Sequence, residues 1–468
     1  MSGIDKFARI VALRPARGRA ASAARVSEPA SGEDRLAELL GAQVNRNHYG
    51  EHLSLRQWYA TPEMCVPDAG SLALLVPPRA GAEDSMRAAL DAERWLFLDT
   101  ETTGLAGGTG TYAFLVGIAW WDAGGLQVEQ FFLRDLDEEH SLLLELATRM
   151  EQRPVLVTFN GKSFDWPLLE TRYRMTRCVP AFSPKVHLDL LHPARQLWRL
   201  RLGSVRLKDL ERHVLAGGGR ALDWSRDDDI DSSLIPQMYF DYLRGGPAEP
   251  LAGIFRHNQM DLRGLAALAG RIFALLDAGN RFADADAPNA EAHDPIEVLG
   301  LSRLMRRRGD SARARELYET ALRSGLPRPV ERLAQRELAQ MAKRELDYTR
   351  AISLWDALRQ SPHPRKRQED VLLPEEARRA LESAIEAAEQ LAIYYEHRAK
   401  EPLRALELIR AALAELRAAQ RAGKLAQDRA GRIESRLARR FSRLQRRSAS
   451  GPLLGSSAEG NRSLNTTA

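Results

Sequence analysis

The chain has 468 residues, of which 44% are hydrophobic and 28% are charged, so two or three folded domains are expected. The densest apolar run, around Tyr112–Trp121, is shorter than the roughly 18 residues of a membrane-spanning helix, which excludes a transmembrane span. Cys65 and Cys178 are too few for a disulfide framework or a cysteine zinc site. Because no apolar signal-peptide core follows Met1, we predict a cytoplasmic protein in a reducing compartment.

The net charge of +5 conceals two halves of opposite sign. Residues 1–300 carry 33 Lys and Arg against 41 Asp and Glu, which gives −8, whereas residues 301–450 carry 34 against 21, which gives +13. A basic module of this kind indicates a polyanionic partner, or else a set of solvated helix faces.

The first 93 residues divide into an arm and a small extension. Residues 1–31 are rich in Ala, Arg and Ser and poor in acids, which predicts a disordered basic arm or a transit peptide. Residues 32–93 are expected to pack on the domain that follows. Within them the pattern predicts a short helix at Arg35–Leu40 and a strand at His52–Tyr59, before an apolar run at Gly70–Pro78.

Residues 94–277 have the pattern of an α/β domain. Three apolar runs are typical of strands, and Asp122-Ala-Gly-Gly between the second and third is a hairpin signal. Helical spacing then alternates with a further strand, which predicts a mixed sheet flanked by helices. The strands are expected at Trp95–Asp99, Thr111–Trp121, Leu126–Leu133 and Val155–Phe159, and helices at Glu138–Glu151, Leu207–Leu215 and Pro247–Asp277.

The composition of residues 278–294 predicts a linker. Residues 295–446 are expected to form an all-α region, and residues 447–468 a disordered tail. The helical region contains a repeat of small and aromatic residues, which would let paired helices approach closely. This spacing resembles tetratricopeptide repeats, although its period of 37 exceeds the usual ~34, and a generic helical bundle is the alternative. The repeated positions are Leu301, Ala314, Tyr318 and Ala321, then Leu338, Ala351, Trp355 and Leu358, then Leu391, Tyr395, Ala405 and Ala412.

Two carboxylates stand at the end of the first predicted strand. Asp99 and Glu101 are two residues apart, so their side chains point to the same face of a strand. Neighbouring acids repel each other, and a fold tolerates this mainly where a cation lies between them. The pair therefore indicates a metal site, or else a strand end in solvent.

Two further carboxylates follow later in the chain. Asp165 comes after a predicted strand and is either a metal ligand or the cap of the next helix. His257 and Asp261 are four residues apart in a helical stretch, so they lie about 40° apart on one face. His257 is accordingly either a catalytic group or a structural histidine.

Together these motifs resemble the DEDD exonucleases of the ribonuclease H-like fold. Asp-x-Glu-Thr-Thr-Gly at Asp99–Gly104 and Asn-x-x-x-Phe-Asp at Asn160–Asp165 are close matches, and the resemblance covers residues 94–277. Further segments and the helical repeats extend the resemblance to the bacterial YprB-like proteins, which are known mainly as predicted nucleases. Those segments are Gly104–Thr111, Asp189–Arg195 and Leu207–His213.

The resemblance implies a 3′–5′ exonuclease that hydrolyses DNA or RNA with two Mg²⁺ or Mn²⁺ ions. His257 would take the proton of the attacking water. It lies four residues before Asp261, whereas histidine-type members of the family place the histidine five before and tyrosine-type members place a tyrosine four before. The implied metal ligands are Asp99, Glu101, Asp165 and Asp261.

Substrate contacts are expected around the second motif and in the glycine-rich loop. Lys162, Arg172, Arg174 and Arg177 offer positive charge to phosphates. Phe164 and Trp166 offer faces for a base, with core packing as the alternative for Phe164. The glycine-rich loop either presents backbone N–H groups or is a tight turn. The other expected contacts are Thr102, Gly104, Thr109, Thr111 and Asn160.

Two other functions fit the same motifs. One is a catalytically weak or inactive scaffold whose repeats bind a protein; all four acidic residues are present, and the offset of His257 is what leaves this alternative open. The other is a structure-selective endonuclease, because the fold hosts both kinds of nuclease. The expected partner is a single-stranded 3′ end of DNA or RNA, with a protein at the helical repeats and no membrane. The arginines at Arg306–Arg308 and Arg432–Arg440 would extend the nucleic-acid path or dock on the acidic half.

Overall fold

The computed structural model divides into two compact units, between Leu317 and Tyr318. Predictions for residues 1–31, for most of the linker and for residues 450–468 lie outside the described residues, as do both cysteines. The described residues are 32–60, 66–76, 87–104, 108–153, 155–177, 184–216, 224, 226, 228–281, 294–360, 374–423 and 425–449.

A seven-stranded mixed sheet forms the centre of the first unit, with strand order β1-β2-β5-β4-β3-β6-β7. In this spatial order, the four neighbouring pairs β1–β2, β2–β5, β5–β4 and β4–β3 are antiparallel. The last two pairs, β3–β6 and β6–β7, are parallel. The strands are β1 (Gln43–Asn47), β2 (Gly50–Ala60), β3 (Trp95–Thr102), β4 (Ala113–Asp122), β5 (Gly125–Phe132), β6 (Val155–Thr158) and β7 (Val186–Asp189).

The hairpin between β4 and β5 confirms the turn predicted from Asp122-Ala-Gly-Gly. Ala123 and Gly124 have φ angles of 49° and 76°, the left-handed values that a two-residue turn between twisted strands requires. Both strands are buried almost throughout. The sequence of β4 is accordingly an apolar run without alternation, whereas β5 also buries Gln127, Glu129 and Gln130.

Helices flank the sheet, as the sequence predicted for an α/β domain. α7 packs against β3, β4 and β5, which brings its polar residues to the end of β3. It also continues to Arg281, beyond the predicted start of the linker at residue 278. The helices are α1 (Gly32–Leu40), α2 (Glu139–Glu151), α3 (Asp165–Thr176), α4 (Leu191–Leu202), α5 (Leu207–Leu210), α6 (Ile235–Leu243), α7 (Leu251–Arg281) and α8 (Pro295–Arg307).

Helix α8 packs inside the first unit, although its sequence was grouped with the repeats. A Cβ at Gly300 would lie 2.7 Å from the Cα of Leu197, so the absence of a side chain lets α8 approach α4. The buried carboxylate of Glu297 accepts hydrogen bonds from Trp198 Nε1 at 2.8 Å and from Arg201 Nη1 at 2.7 Å. These contacts tie the start of the helical region to the α/β unit.

The second unit is helical, which confirms the predicted helix-rich C-terminal region. From α10 onward each helix packs on the next in the chain. All twelve repeated positions are buried, while their assignment to tetratricopeptide repeats stays a prediction. Among the described residues, no helix is long and apolar enough to cross a membrane. The helices are α9 (Ser311–Arg323, which spans the division), α10 (Arg328–Arg344), α11 (Tyr348–Gln360), α12 (Pro374–His397), α13 (Pro402–Arg421) and α14 (Gln427–Ala449).

Candidate active site

Asp99 and Glu101 lie on the C-terminal half of β3, on the same face. Asp99 is paired with Gly117 of β4, and the register shifts between Glu101 and Thr102. A Cβ at Gly117 would collide with the amide of Asn258 on α7. Glycine at this position therefore lets a polar side chain of α7 reach the carboxylate of Asp99.

Asn258 is fully buried and fixes the orientation of Asp99. Its Nδ2 donates to Asp99 Oδ2 at 2.8 Å, and its Oδ1 accepts from Gln130 Nε2 at 2.8 Å. A buried amide with both ends bonded has one defined orientation. One oxygen of Asp99 is thus held by a hydrogen bond.

Asp165 is the first residue of α3, and Phe164 occupies the preceding cap position without a side-chain capping bond. The Asp165 carboxylate accepts from Thr100 Oγ1 at 2.5 Å, which ties the start of α3 to β3. The predicted alternative, a helix cap at Asp165, therefore does not describe this side chain. It faces the Asp99 and Glu101 strand instead.

His257 and Asp261 project from one face of α7 toward Glu101. His257 Nε2 lies 3.5 Å from Asp261 Oδ2 and 4.0 Å from Glu101 Oε1. One donor atom from each of the three residues lies within 4.8 Å of the other two. The structure therefore brings together residues separated by about 160 positions in the sequence.

Asp229 holds the other ring nitrogen of His257. The distance from His257 Nδ1 to Asp229 Oδ1 is 2.7 Å, and Lys208 Nζ lies 2.9 Å from Asp229 Oδ2. Burial raises the pKa of Asp229, but hydrogen bonds from Lys208 and His257 outweigh it and lower the pKa overall. An ionised carboxylate only accepts hydrogen bonds, so Nδ1 carries a proton, and Nε2 is the ring nitrogen that faces Glu101 and Asp261.

Burial and mutual repulsion raise the pKa values of three of the four predicted carboxyl ligands. The pKa of Asp99 is raised well above its usual range by burial and by the charges of Asp261, Asp165 and Glu101. Burial and the charges of Asp261 and Asp165 likewise raise the pKa of Glu101. Burial is the main cause of the raised pKa of Asp165. Several acids that disfavour each other's ionisation form a site that a divalent cation would stabilise.

Arg226 joins Asp261 to another buried acid, Glu211. Its Nη1 donates to Asp261 Oδ1 at 2.5 Å and its Nη2 to Glu211 Oε1 at 2.5 Å. Glu211 Oε2 is buried with no hydrogen-bond partner among the described residues. Burial, opposed by Arg226, raises the pKa of Glu211 to about 8. The guanidinium thus neutralises one side of Asp261.

The second motif forms a fixed loop beside Asp165. Asp189 accepts hydrogen bonds from the backbone N–H of Asn160 at 2.8 Å and of Lys162 at 3.1 Å. Asn160 has a φ of 69°, a left-handed conformation that asparagine tolerates. The loop presents Phe164, which is 56% exposed, next to the carboxylate cluster.

Two of the expected substrate contacts are wrong. Arg172 is buried and forms a bidentate pair with Glu139 at 2.5 Å for both bonds, so its guanidinium serves the core rather than a phosphate. Trp166 faces the core and is 8% exposed, so it offers no face to a base. The physical reason is the helical register of α3, which turns Trp166 and Arg172 inward.

The structure describes the glycine-rich loop up to Gly104 and again from Gly108 onward. Thr102 Oγ1 donates to Gly104 O at 3.1 Å. A turn closes from Thr111 N to Gly108 O at 3.2 Å, and Gly108 has a φ of 129° that only glycine adopts readily. Arg172 Nη1 donates to the backbone O of Thr109, which anchors this turn, and Thr111 is buried. The tight-turn interpretation therefore describes residues 108–111.

Sequence reasoning missed several residues that shape the site. Asn258 follows His257 directly, and Asp229 ends an acidic run, so both had weak local signals. Glu211 lies in the Leu207–His213 segment but was not singled out there. Thr100 and Arg226 had no signal, because their roles depend on partners far away in the chain.

Comparison with known proteins agrees with the geometry. Residues 96–273 match the family model of the RNase H superfamily (RNase_H_2). The chain is also similar to the uncharacterized protein YprB of Bacillus subtilis (strain 168), with 28% identity over 320 residues that cover 68% of this chain and 69% of YprB. The predicted resemblance is confirmed by these two similarities and by the helical C-terminal region.

Proposed function

We propose, from the premise that residues 96–273 form a ribonuclease H-like domain, that this protein is a divalent-metal-dependent nuclease. Its reaction is hydrolysis of phosphodiester bonds in DNA or RNA, in the 3′–5′ exonuclease mode. The observation that carries the proposal is the convergence of half-buried acidic side chains from β3, α3 and α7 on one place.

The carboxylates are the proposed metal ligands. Asp99, Glu101, Asp165 and Asp261 supply hard oxygen donors, the type that Mg²⁺ and Mn²⁺ prefer. The raised pKa values of Asp99, Glu101 and Asp165, and the close approach of the Glu101 and Asp261 donor atoms, fit a cationic occupant. Two such cations would activate water and stabilise the charge that develops on the phosphodiester oxygens.

His257 is the proposed general base. The hydrogen bond from Nδ1 to Asp229 leaves Nε2 directed at Glu101 and Asp261, where it can accept the proton of the attacking water. Asp229 is a positioning residue, because it selects the tautomer of His257 without touching the substrate. The four-residue offset from Asp261 does not remove the histidine from the cluster.

The loop of the second motif is the proposed substrate platform. Exposed Phe164 can stack on a terminal base, and Lys162 lies on the same exposed loop, where its charge favours phosphate. Asn160, Thr102, Gly104 and Thr109 remain proposed contacts, the last through the turn at residues 108–111. The helical second unit is the proposed site for a partner or for more of the strand.

Digestion of end-labelled strands tests the proposal. Single-stranded DNA and RNA labelled at the 3′ or 5′ end would be incubated with Mn²⁺, Mg²⁺ or EDTA. We expect metal-dependent release of nucleoside monophosphates from the 3′ end. Asp99→Asn should lower the rate at least about 100-fold, because several kcal/mol of transition-state stabilisation is lost. Asp122→Asn, an exposed aspartate at the end of β4, is the matched control.

Each alternative gives a distinct result. Cleavage of strands with a blocked 3′ end would identify an endonuclease. A folded protein that cleaves none of the substrates with either metal would contradict the enzyme and favour the scaffold, in which the pairing of Arg226 with Asp261 is structural. Equal activity in Asp99→Asn and in the wild type would contradict the proposed metal site.

A further inference from the structure

A group of arginines gathers around one buried acid at the end of α12. The side chain of Glu396 is 0% exposed and accepts hydrogen bonds from Arg440 Nη1 at 2.9 Å, Arg443 Nη2 at 2.8 Å and Arg447 Nη1 at 3.1 Å. The three arginines lie on one face of α14, at spacings of three and four residues. One carboxylate therefore anchors three guanidinium groups.

The positive charge of α14 is uneven along its length. Toward its start, Arg429 pairs with Glu382 and Arg436 with Glu389, each at 2.8 Å and one to one. At its end the three arginines share one carboxylate, which leaves an excess of two positive charges. Exposed Lys400 adds one more positive charge to this group, and Arg446 adjoins it. The nearest exposed acid in sequence, Glu401, pairs with Arg404.

A cavity of about 430 Å³ opens at this end of the helix. It is lined by Glu396, Lys400, Pro402, Arg446 and Arg447. Among the residues that the structure describes, this lining contains no aromatic ring, so it offers no face on which a base could stack. Cationic side chains with no surface for bases fit a ligand that presents phosphate alone.

We propose that this surface, the Glu396 arginine cluster (Lys400, Arg440, Arg443, Arg446 and Arg447 around Glu396), binds the phosphate backbone of a nucleic acid strand. The inference rests on the proposed function, which makes nucleic acid the substrate, and it adds a binding surface in the second unit. Binding there is independent of base sequence, because phosphate contacts carry no sequence information. An acidic protein is the competing occupant.

The anchoring by Glu396 explains why these arginines suit phosphate. An arginine side chain loses rotamer freedom when it is fixed, and here Glu396 fixes three of them before any ligand arrives. Each guanidinium has five N–H donors, whereas Arg440 and Arg447 each use one donor on Glu396 and Arg443 uses two. A preorganised fork of donors matches the oxygens of a phosphodiester.

The test is the affinity of the full chain for fluorescent oligothymidylate and oligouridylate of about 30 nucleotides, measured by anisotropy at several KCl concentrations. All proteins carry Asp99→Asn, so the strand is not cleaved. Arg443→Gln with Arg447→Gln should weaken binding about tenfold. It should also flatten the slope of log K against log salt by about 1.4, or ~0.7 for each lost contact.

The matched control removes two charges elsewhere on the same unit. Arg417→Gln with Arg429→Gln breaks two one-to-one pairs, with Glu434 and Glu382. The affinity of this control for the oligonucleotide should stay within twofold of that of the parent protein, which is about 0.4 kcal/mol. Its salt slope should also stay within twofold of the parent value. Because Arg443 and Arg447 support buried Glu396, Lys400→Gln with Arg446→Gln is a second variant that leaves the three anchored arginines in place, and it should also weaken binding.

The outcomes separate this proposal from the proposed function. Equal weakening by the cluster and control variants would show a general charge effect and overturn the proposal. Unchanged binding in both cluster variants would also overturn it and favour an acidic protein. Cleavage by the protein with native Asp99 is measured separately. Loss of binding in the cluster variants without any cleavage would uphold the surface and contradict only the nuclease.

Discussion

Glu211 should make the first unit less stable as the pH rises. Its carboxyl group is buried beside Arg226, and burial raises its pKa to about 8 from an ordinary value of 4.5. The unfolded chain therefore releases this proton at a lower pH than the folded protein. The stabilising effect of the protonated group is complete below about pH 4.5 and is lost as the pH rises through about 8.

The size of this effect follows from the two pKa values. A shift from 4.5 to about 8 corresponds to roughly 4.8 kcal/mol in total, at about 1.36 kcal/mol for each unit. By proton linkage, the free energy of unfolding falls by roughly 2 kcal/mol as the pH rises to 6. It falls by roughly 2.6 kcal/mol more between pH 6 and pH 9. Glu211→Gln removes the titration while keeping an oxygen that can accept from Arg226. The free energy of unfolding of Glu211→Gln minus that of the wild type should therefore rise by roughly 2.6 kcal/mol from pH 6 to pH 9.

Urea unfolding at a series of pH values, followed by tryptophan fluorescence in EDTA, measures the effect. Seven of the eight tryptophans precede Tyr318, so the signal reports mainly on the first unit. Asp228→Asn, an exposed carboxylate in the neighbouring loop, is the control and should keep the pH dependence of the wild type. If Glu211→Gln and the wild type change in parallel from pH 6 to pH 9, the reasoning about Glu211 is wrong.

Three further predictions concern the site and its support. Asp229→Asn should lower kcat about 10–100-fold with little change in KM, because His257 loses its fixed tautomer. An unchanged kcat in strand digestion would contradict the positioning role of Asp229. Arg172→Met should lower the free energy of unfolding, measured in urea, by about 3–5 kcal/mol, because Glu139 is left buried and unpaired. A loss below about 1 kcal/mol would refute this argument. Phe164→Ala should weaken single-strand binding by about 1–3 kcal/mol in anisotropy titrations without lowering stability, and unaltered affinity would exclude stacking there.

The fold class was predictable from the sequence because strands, hairpins and helices leave local periodic patterns. That Asp99, Glu101, Asp165, His257 and Asp261 belong to one site was implied only by the resemblance to the DEDD exonucleases, since each motif alone allowed another interpretation. The spacing of His257 and Asp261 predicted a shared face, and their side chains lie 3.5 Å apart. Their catalytic roles stay a prediction until activity is measured.

Nonlocal contacts explain what the sequence did not predict. The pairing of Asp229 with His257 joins positions 28 residues apart, and that of Glu297 with Trp198 joins positions 99 apart. No periodic pattern encodes such pairs. Phe164 and Trp166 show the same limit over three neighbouring residues, because their exposure depends on where α3 begins.

The N-terminal strands have a consequence for any shortened form of the protein. β2 pairs residue for residue with β5, from Leu53 opposite Phe132 to Ala60 opposite Gly125, yet it precedes residue 96, where the family match begins. A fragment limited to residues 96–273 would uncover the backbone groups of β5, whose residues are buried in the whole protein. Open strand edges recruit other chains, so such a fragment should aggregate while the whole chain does not. The border of sequence similarity is therefore not a safe place to cut this protein.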